Sequence, residues 1–249
     1  MSVTIKSERE IGLMREAGKI LSAVHEELRV IIMPGITTLD IDKKARELIK
    51  GYGCIPSFLN YNGYPASVCV SVNNQVVHGI PSKGRVLQDG DIVSLDAGVI
   101  YKGYHSDAAR TWAVGEITEE AEKLIQVTKQ SFFEGIKYAK SGNHLNDISS
   151  AIQTYVEAFG FSIVRDLVGH GIGTKIHEDP QIPNFSQRRR GIRLEAGMTF
   201  AIEPMVNAGR PEVYWESDDW TVVTEDRSLS AHYENTILIT DGDPEILSI

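Results

Sequence analysis

Apolar residues recur three or four positions apart in four stretches of the chain, a spacing that puts them on one face of an α-helix. We therefore predict helices over residues 7 to about 32, 37 to about 51, 118 to about 140 and 144 to about 159. Ser7 and Glu10 form the Ser-x-x-Glu pattern of a capping box, which marks the start of the first helix.

Between and after these helices, β-branched and aromatic residues alternate with small or polar ones, which is typical of strands. The first set of predicted strands lies in VCVSVNNQVVHGI, DIVSLDAGVI and YHSDAARTWAV, and the second set in SIVRDLV, MTFAIEPMV, DWTVV and HYENTILIT. Two helices followed by strands therefore occur twice along the chain.

The chain also matches itself sparsely at an offset of 107 residues, which aligns Gly35 with Gly142 and Asp96 with Glu203. Because one offset holds from the helices into the strands, we interpret it as an internal repeat. We predict an α+β fold in a single domain, residues 1–249, with related halves at about 1–115 and 116–249. A chance match between similar elements is the alternative.

Length and charge restrict the function classes. A chain of 249 residues suits one or two domains, and its net charge of −9 provides no general basic field for nucleic acid. No apolar run approaches the roughly 20 residues that cross a bilayer, and charges are scattered where a signal peptide would be apolar. We expect a soluble, cytoplasmic protein with no DNA partner and no membrane insertion.

Two aspartates fall on neighbouring predicted strands. If residues 102 and 103 form the turn, Asp107 lies opposite Gly98, and Asp96 is its diagonal neighbour on the same face. Their Cβ atoms would then lie somewhat less than about 7 to 8 Å apart, which suits a shared metal ion. Two exposed acids on a solvated sheet face are the alternative.

Two glutamates occur in runs that look buried. Glu203 lies within MTFAIEPMV and Glu234 precedes TILIT. A buried carboxylate costs several kcal/mol unless it is paired, protonated or bound to a metal. Arg110 and Arg165 are the only strong candidate cations in these stretches. A bound divalent cation would resolve this shortage of basic partners.

His170 lies between glycines in GHGIG, which leave room for the imidazole to point into a cleft. A glycine-rich phosphate loop is a weak alternative because the following TKIHEDPQIP does not resemble a helix. Four carboxylates and one imidazole suit two ions such as Mn, Fe(II), Co or Zn. Two such ions favour a hydrolytic reaction. The spacing of these residues alone does not indicate whether the bond that is hydrolysed is a peptide bond or a phosphate ester.

These five residues occur in recognisable contexts. Asp96, Asp107, His170, Glu203 and Glu234 resemble the five metal ligands of the type I methionine aminopeptidases, in the contexts SLDAG, HSDAART, GHGIG, AIEPMV and HYENT. Three longer tracts resemble the same family, namely VCVSVNNQVVHGIP, GHGIGTKIHEDPQIPN and FAIEPMVNAG. The resemblance implies the pita-bread fold, with pseudo-twofold halves, a curved antiparallel sheet covered by helices, and a dimetal centre between the halves.

The family resemblance also implies an activity. Such enzymes remove the initiator methionine from nascent polypeptides when the second residue is small, and the family favours a monomer. The chain lacks the helical insertion of the type II enzymes and a zinc-binding N-terminal extension, so we expect the short bacterial form.

The resemblance further implies residue roles. Asp96 and Asp107 would chelate, with Asp107 bridging, His170 and Glu203 would hold one ion, and Glu234 would bridge the pair. Glu203 would also handle the proton of the attacking water. His78, in VVHGIP, and His177, in TKIHEDP, match two family histidines that contact the substrate.

The methionine pocket is expected to have aromatic walls. Tyr61, Tyr64, Cys69 and Trp220 match family pocket positions, where an unbranched thioether gains from sulfur–ring packing. The sequence departs from well-known members at three positions. Phe58 is often cysteine and Ile176 is often phenylalanine, and these two changes affect the predicted shape of the pocket. Asn235 is commonly histidine, and this change is expected to affect the affinity for metal.

The sequence also allows alternatives for the basic residues and for the function. The basic cluster Arg188, Arg189, Arg190 and Arg193 is either a solvated loop or a contact with ribosomal RNA. An Xaa-Pro aminopeptidase of the same fold is the alternative enzyme, although such relatives usually carry an extra N-terminal domain. A non-catalytic binding module is the remaining alternative, disfavoured because all five ligand positions are filled.

Overall fold

A computed structural model describes residues 3–249 of the chain; residues 1 and 2, at which the predicted single domain begins, lie outside the described residues. The four predicted helices are confirmed, as α1 (Glu8–Arg29), α2 (Thr38–Gly51), α3 (Glu119–Ile136) and α4 (Leu145–Ala158). The third ends at Ile136, earlier than the predicted 140. Helix α1 begins with the predicted capping box, in which Ser7 and Glu10 accept each other's backbone N–H.

The strands form one large and two small sheets. The strands are β1 (Ile55–Pro56), β2 (Val68–Val72), β3 (Gln75–Val77), β4 (Ile92–Tyr101), β5 (Tyr104–Ala113), β6 (Ser162–Ile163), β7 (Gly169–Gly171), β8 (Glu178–Ile182), β9 (Thr199–Ile202), β10 (Met205–Asn207), β11 (Val213–Trp215), β12 (Val222–Thr224), β13 (Ser230–His232), β14 (Glu234–Leu238) and β15 (Glu245–Ile246).

All strand pairs are antiparallel, as expected of an α+β fold. The nine-stranded sheet runs in the order β1-β4-β5-β14-β9-β7-β8, with β2 paired to β4 and β15 paired to β14. The smaller sheets are β13-β10-β6 and β11-β12-β3.

The helices cover the large sheet in two pairs. Helix α1 packs on β4 and β5, and its face of Met14, Leu21 and Leu28 is fully buried. Helices α3 and α4 pack on each other and bury Phe132 and Ile148 in a second apolar cluster with residues of β9 and β14. Each amphipathic face is thus buried against the sheet or a neighbouring helix, which is where most helical stability in proteins comes from.

Three predicted strands are shorter than their sequence patterns indicated. MTFAIEPMV is divided at Glu203 and Pro204 into β9 of the large sheet and β10 of a small one, because proline has no N–H for a ladder bond. HYENTILIT is also divided between two sheets, at Tyr233, into β13 of a small sheet and β14 of the large sheet. SIVRDLV forms only the two-residue strand β6, since Arg165 and Asp166 are exposed in a bend.

Several elements recur at the offset of 107 residues. Helix α2 begins at Thr38 and ends at Gly51, and α4 begins at Leu145 and ends at Ala158. Two glycine pairs at this offset share a left-handed backbone, with φ of 96° and 95° at Gly35 and Gly142, and 92° at both Gly90 and Gly197. Among the described residues, no helix is both long and apolar enough to cross a membrane.

Two glycines of helix α1 offer a matched test of this packing. A Cβ on Gly18 would lie 1.9 Å from the carbonyl oxygen of Leu247, whereas a Cβ on Gly12 would meet nothing within 4 Å. We expect Gly18→Ala to lower the free energy of unfolding by about 1–3 kcal/mol through overpacking. Gly12→Ala should raise it by about 0.5–1 kcal/mol through helix propensity. Urea unfolding measures both, and equal stability of the two variants would contradict this packing.

Candidate metal centre and adjoining cavity

Five adjacent strands of the large sheet bring the predicted metal-binding residues together. Asp96 lies on β4, Asp107 on β5, Glu234 at the start of β14, Glu203 directly after β9, and His170 in the middle of β7. In the sheet these strands follow one another in the order β4-β5-β14-β9-β7. Residues that are far apart in sequence are therefore neighbours across the sheet.

Strand register fixes how these side chains face one another. The predicted hairpin is confirmed, because Gly98 pairs with Asp107 and Asp96 pairs with Ala109. Ala109 also pairs with Glu234, so a single small residue separates two carboxylates along this row. Short side chains between the acids leave the face of the sheet open for a ligand.

His170 lies against the acidic cluster. Its Nε2 is 3.6 Å from Oε1 of Glu203 and 3.8 Å from Oδ2 of Asp107. One ligand atom from each of Asp107, His170 and Glu234 lies within 4.8 Å of the other two. Nδ1 of His170 is 2.9 Å from the carbonyl oxygen of Gly171. With the proton on Nδ1, this hydrogen bond leaves the Nε2 lone pair facing the carboxylates, as in metal-binding histidines.

The site makes ionisation of these acids costly. Burial raises the pKa of Asp96 to about 7. Burial, followed by the charges of neighbouring acids, raises the pKa of Asp107, Glu203 and Glu234 well above their usual range. For His170, burial followed by the nearby His177 lowers the pKa to about 3, so its imidazole is neutral at pH 7.

The donor set fits a divalent cation. Asp96 Oδ1, Asp107 Oδ1 and Glu234 Oε1 are buried without a hydrogen-bond partner. Within residues 3–249, no lysine or arginine nitrogen lies within 4.0 Å of these four carboxylates. Buried acids without a basic partner are expected to be protonated or to bind a metal ion.

The two arginines that the sequence analysis named as candidate cations do not form ion pairs with these carboxylates. Arg110 donates to the backbone carbonyl of Glu234 and to Oδ1 of Asn235, not to a carboxylate. Arg165 lies over the ring of Phe185, 5.9 Å from its centroid. The shortage of basic partners is therefore real in the fold as well as in the sequence.

A cavity of about 200 Å³ opens onto the acidic cluster. Aromatic, imidazole and carboxylate side chains line it, namely Phe58, Tyr61, Asn62, Tyr64, Cys69, His78, Asp96, Asp107, His170, His177, Glu203, Trp220 and Glu234. Every residue that the sequence analysis assigned to metal, catalysis or substrate is among them except Ile176. Ile176 is buried in the apolar cluster that contains Phe58, Tyr64 and Cys69, so it supports the wall from outside.

Aromatic rings form one side of this cavity. The Trp220 ring meets the Tyr64 ring edge-on at 5.0 Å between centroids and the His78 ring at 6.3 Å. Burial, followed by the charge of Asp96, raises the pKa of the Cys69 thiol well above its usual range. Cys69 is therefore a neutral wall residue, because a nucleophilic cysteine needs a lowered pKa.

The two other predicted histidines lie between the aromatic wall and the acids. The hydroxyl of Tyr61 is 2.7 Å from Nδ1 of His177, which fixes the orientation of that ring. His78 has a left-handed backbone with φ of 59°, a strained conformation that tends to occur at functional sites. Burial lowers the pKa of both imidazoles, to about 4 for His78, so both are neutral at pH 7.

Comparisons with known proteins agree with this geometry. The profile of Metallopeptidase family M24 matches residues 12–241. Methionine aminopeptidase of Clostridium acetobutylicum is 56% identical over 247 residues, which cover 99% of both chains. Methionine aminopeptidase of Escherichia coli K12 is 43% identical over 250 residues, covering 100% of this chain and 95% of its own. The chain belongs to the methionine aminopeptidases of family M24.

Solved structures give the same assignment. The structure of methionine aminopeptidase from Thermotoga maritima matches with a TM-score of 0.97 and 46% identity, covering 99% of both chains. Xaa-Pro dipeptidase from Bacillus anthracis matches with a TM-score of 0.79 and 26% identity, covering 98% of this chain but 61% of that chain. The predicted pita-bread fold is confirmed, and the Xaa-Pro enzymes are distant relatives.

Sequence reasoning missed two residues at the site. Asn62 lines the cavity beside Tyr61, and nothing in its local sequence distinguishes it from a loop residue. His232 is buried with its Nε2 3.8 Å from Oε2 of Glu203. Its position two residues before Glu234 was the available signal, but strand alternation does not hold across the break at Tyr233.

Metal binding to the metal-free protein should release protons. At about pH 6 the Asp96 carboxyl, with its pKa raised to about 7, is largely protonated, and a cation must displace that proton. His170 is already neutral and releases none. The apparent affinity for Mn²⁺ should therefore rise as the pH is raised through 7. Calorimetry in two buffers of different ionisation enthalpy measures the protons released, and finding none at pH 6 would contradict the raised carboxyl pKa values.

Proposed function

We propose that the protein hydrolyses the first peptide bond of newly made polypeptides, releasing N-terminal methionine when the second residue is small. One observation carries the proposal: an aromatic cavity of about 200 Å³ opens directly onto four carboxylates and His170. Apolar walls suit the methionine side chain, and the acids beside them suit metal-assisted hydrolysis.

The five clustered residues would hold two divalent ions, drawn from Co, Mn, Fe(II) or Zn. When bound, such a pair supplies a nucleophile at neutral pH and polarises the carbonyl that is attacked. Asp96 and Asp107 would chelate from adjacent strands, and His170, Glu203 and Glu234 would complete the set of ligands. The unpartnered oxygens of Asp96, Asp107 and Glu234 support this assignment.

Proton transfer is assigned to Glu203. When ionised, its carboxylate can accept a proton from the attacking water and pass it to the departing amine. Glu203 borders the cavity that receives the substrate and lies within 3.6 Å of His170. It can therefore reach both the water and the reacting bond.

His78 and His177 are assigned to the substrate backbone. A neutral imidazole N–H can donate to the carbonyl oxygen as negative charge builds on it, or hold the scissile nitrogen in line. The Tyr61 hydroxyl at Nδ1 of His177 leaves Nε2 free to act on the substrate. Phe58, Tyr64, Cys69 and Trp220 would enclose the methionine side chain.

We further propose that residues 1–249 act as one catalytic domain of two related halves, monomeric and cytoplasmic. Asp96 and Asp107 come from the first half, and His170, Glu203 and Glu234 come from the second. Because the cavity needs both sets, neither half would carry the activity alone. The proposed substrate, the N-terminus of a nascent chain, is produced in the cytoplasm.

The activity is tested with the tripeptide Met-Ala-Ser. After chelation and dialysis we expect no methionine release, and added Mn²⁺ should restore it. His170→Ala and Glu203→Gln should each reduce kcat by about 10²–10⁴-fold, whereas the surface control Glu212→Gln should retain full activity. Full activity in excess chelator would contradict the proposal, and faster release from Ala-Pro than from Met-Ala would favour an Xaa-Pro peptidase.

The basic loop gives a separate prediction about partners. Arg188 and Arg189 are exposed beside Arg165, and Nη2 of Arg190 lies 3.7 Å from Oδ2 of Asp147. We interpret these side chains as solvated. Reversing the charge of Arg188 and Arg189 to glutamate should therefore leave co-sedimentation with ribosomes at low salt unchanged. Loss of co-sedimentation would instead establish a contact between this loop and ribosomal RNA.

A further inference from the structure

His232 lies directly behind the acidic cluster. It ends strand β13, and only 2% of its surface is exposed. Its Nε2 is 3.8 Å from Oε2 of Glu203 and 3.9 Å from Oε2 of Glu234. One imidazole nitrogen is thus almost equidistant from two carboxylates that come from different strands.

The His232 ring is an exception among buried polar groups. Neither Nδ1 nor Nε2 has a hydrogen-bond partner in the described residues. Buried imidazoles with a structural role normally have one. His25, which is equally buried, has its Nε2 2.9 Å from the carbonyl oxygen of Ala108. The surroundings of His232 therefore offer it the carboxylates of Glu203 and Glu234 and no backbone acceptor.

The backbone of His232 is held in place. Its N–H donates to the Thr111 hydroxyl at 2.9 Å, and that hydroxyl donates back to the His232 carbonyl at 2.8 Å. The hydroxyl of Ser94 lies 2.8 Å from that of Thr111, on the neighbouring strand. This anchoring keeps the imidazole against the acids.

The two oxygens of Glu203 face different imidazoles. Oε1 lies 3.6 Å from Nε2 of His170, on the cavity side of the cluster, and Oε2 lies 3.8 Å from Nε2 of His232. A group that held Oε2 would therefore fix the direction of Oε1. Fixing that direction matters because Oε1 is the oxygen beside the other candidate metal-binding groups.

We propose that His232 is a positioning residue, which donates its Nε2–H to Oε2 of Glu203 and of Glu234 and so directs their remaining oxygens toward the bound cations. A contraction of less than about 1 Å converts the present separations into ordinary hydrogen bonds. An N–H donor shared by two acids also reduces their mutual repulsion. The kinetic consequence rests on the proposed function, whereas the consequence for metal affinity does not.

Two substitutions distinguish the effect of losing the N–H donor from the effect of losing the volume of the ring. His232→Gln places an amide N–H at a similar reach, and His232→Leu fills the space without a donor. Removing a group that orients metal ligands typically weakens metal binding by about 10–100-fold. We expect that loss of Mn²⁺ affinity by calorimetry for His232→Leu, and near wild-type affinity for His232→Gln.

The kinetic readout should separate positioning from substrate binding. His232→Leu should lower kcat on Met-Ala-Ser at saturating Mn²⁺ with little change in KM, because Glu203 is misdirected while the methionine pocket is intact. If His232→Leu does not fold, His232→Asn, whose amide is too short to reach both acids, takes its place in the comparison with His232→Gln.

His25→Leu is the matched control. His25 is a buried imidazole that lines the same cavity behind the sheet as His232, but it bonds to a backbone carbonyl. The His25→Leu variant should bind Mn²⁺ with the same affinity as the wild-type protein. Wild-type Mn²⁺ affinity and kcat in His232→Leu, or equal losses in the Gln and Leu variants, would overturn the inference. If wild-type protein fails to cleave Met-Ala-Ser, the proposed function fails while the Mn²⁺ series still decides the role of His232.

Discussion

The rest of the structure depends on one electrostatic constraint, the gathering of four carboxylates in one cavity wall without a basic partner. Within the described residues, the only side-chain nitrogens of basic residues within 4.0 Å of them belong to His170 and His232. Removing a carboxylate from water costs several kcal/mol, and neighbouring carboxylates repel one another. A flexible scaffold would relieve that repulsion by moving the acids apart. The fold must therefore hold them rigidly.

Rigidity comes from the large sheet and from two threonine contacts, one between β5 and β14 of that sheet and one between β5 and β13 of a small sheet. Thr236 accepts the N–H of Asp107 at 2.8 Å and donates to its carbonyl at 2.9 Å. Thr111 makes the same pair of bonds to His232. Each hydroxyl thus serves both backbone groups of a residue at the site. The buried helices behind the sheet add an apolar layer that keeps the strands from separating.

The sequence predicted part of this arrangement for clear physical reasons. A two-residue turn and strand alternation were enough to place Asp96 and Asp107 on one face, and apolar surroundings identified Glu203 and Glu234 as unusual acids. The breaks at Pro204 and Tyr233 were missed because hydrophobic alternation continues across them while the chain changes sheets. Those breaks bring His232 behind Glu203, which is a tertiary relationship that no local pattern records.

Asn235, which the sequence predicts to affect metal affinity, makes its side-chain contacts away from the acidic cluster. As the neighbour of Glu234 on β14, its side chain points to the opposite face of the sheet. There its Oδ1 accepts from Arg110 at 2.6 Å and from the Ser248 hydroxyl at 3.1 Å. The same guanidinium donates to the Glu234 carbonyl, and its charge opposes the rise in the pKa of Glu234. We therefore expect any effect of Asn235 on the acidic cluster to act through Arg110, since its own amide lies on the other side of the strand.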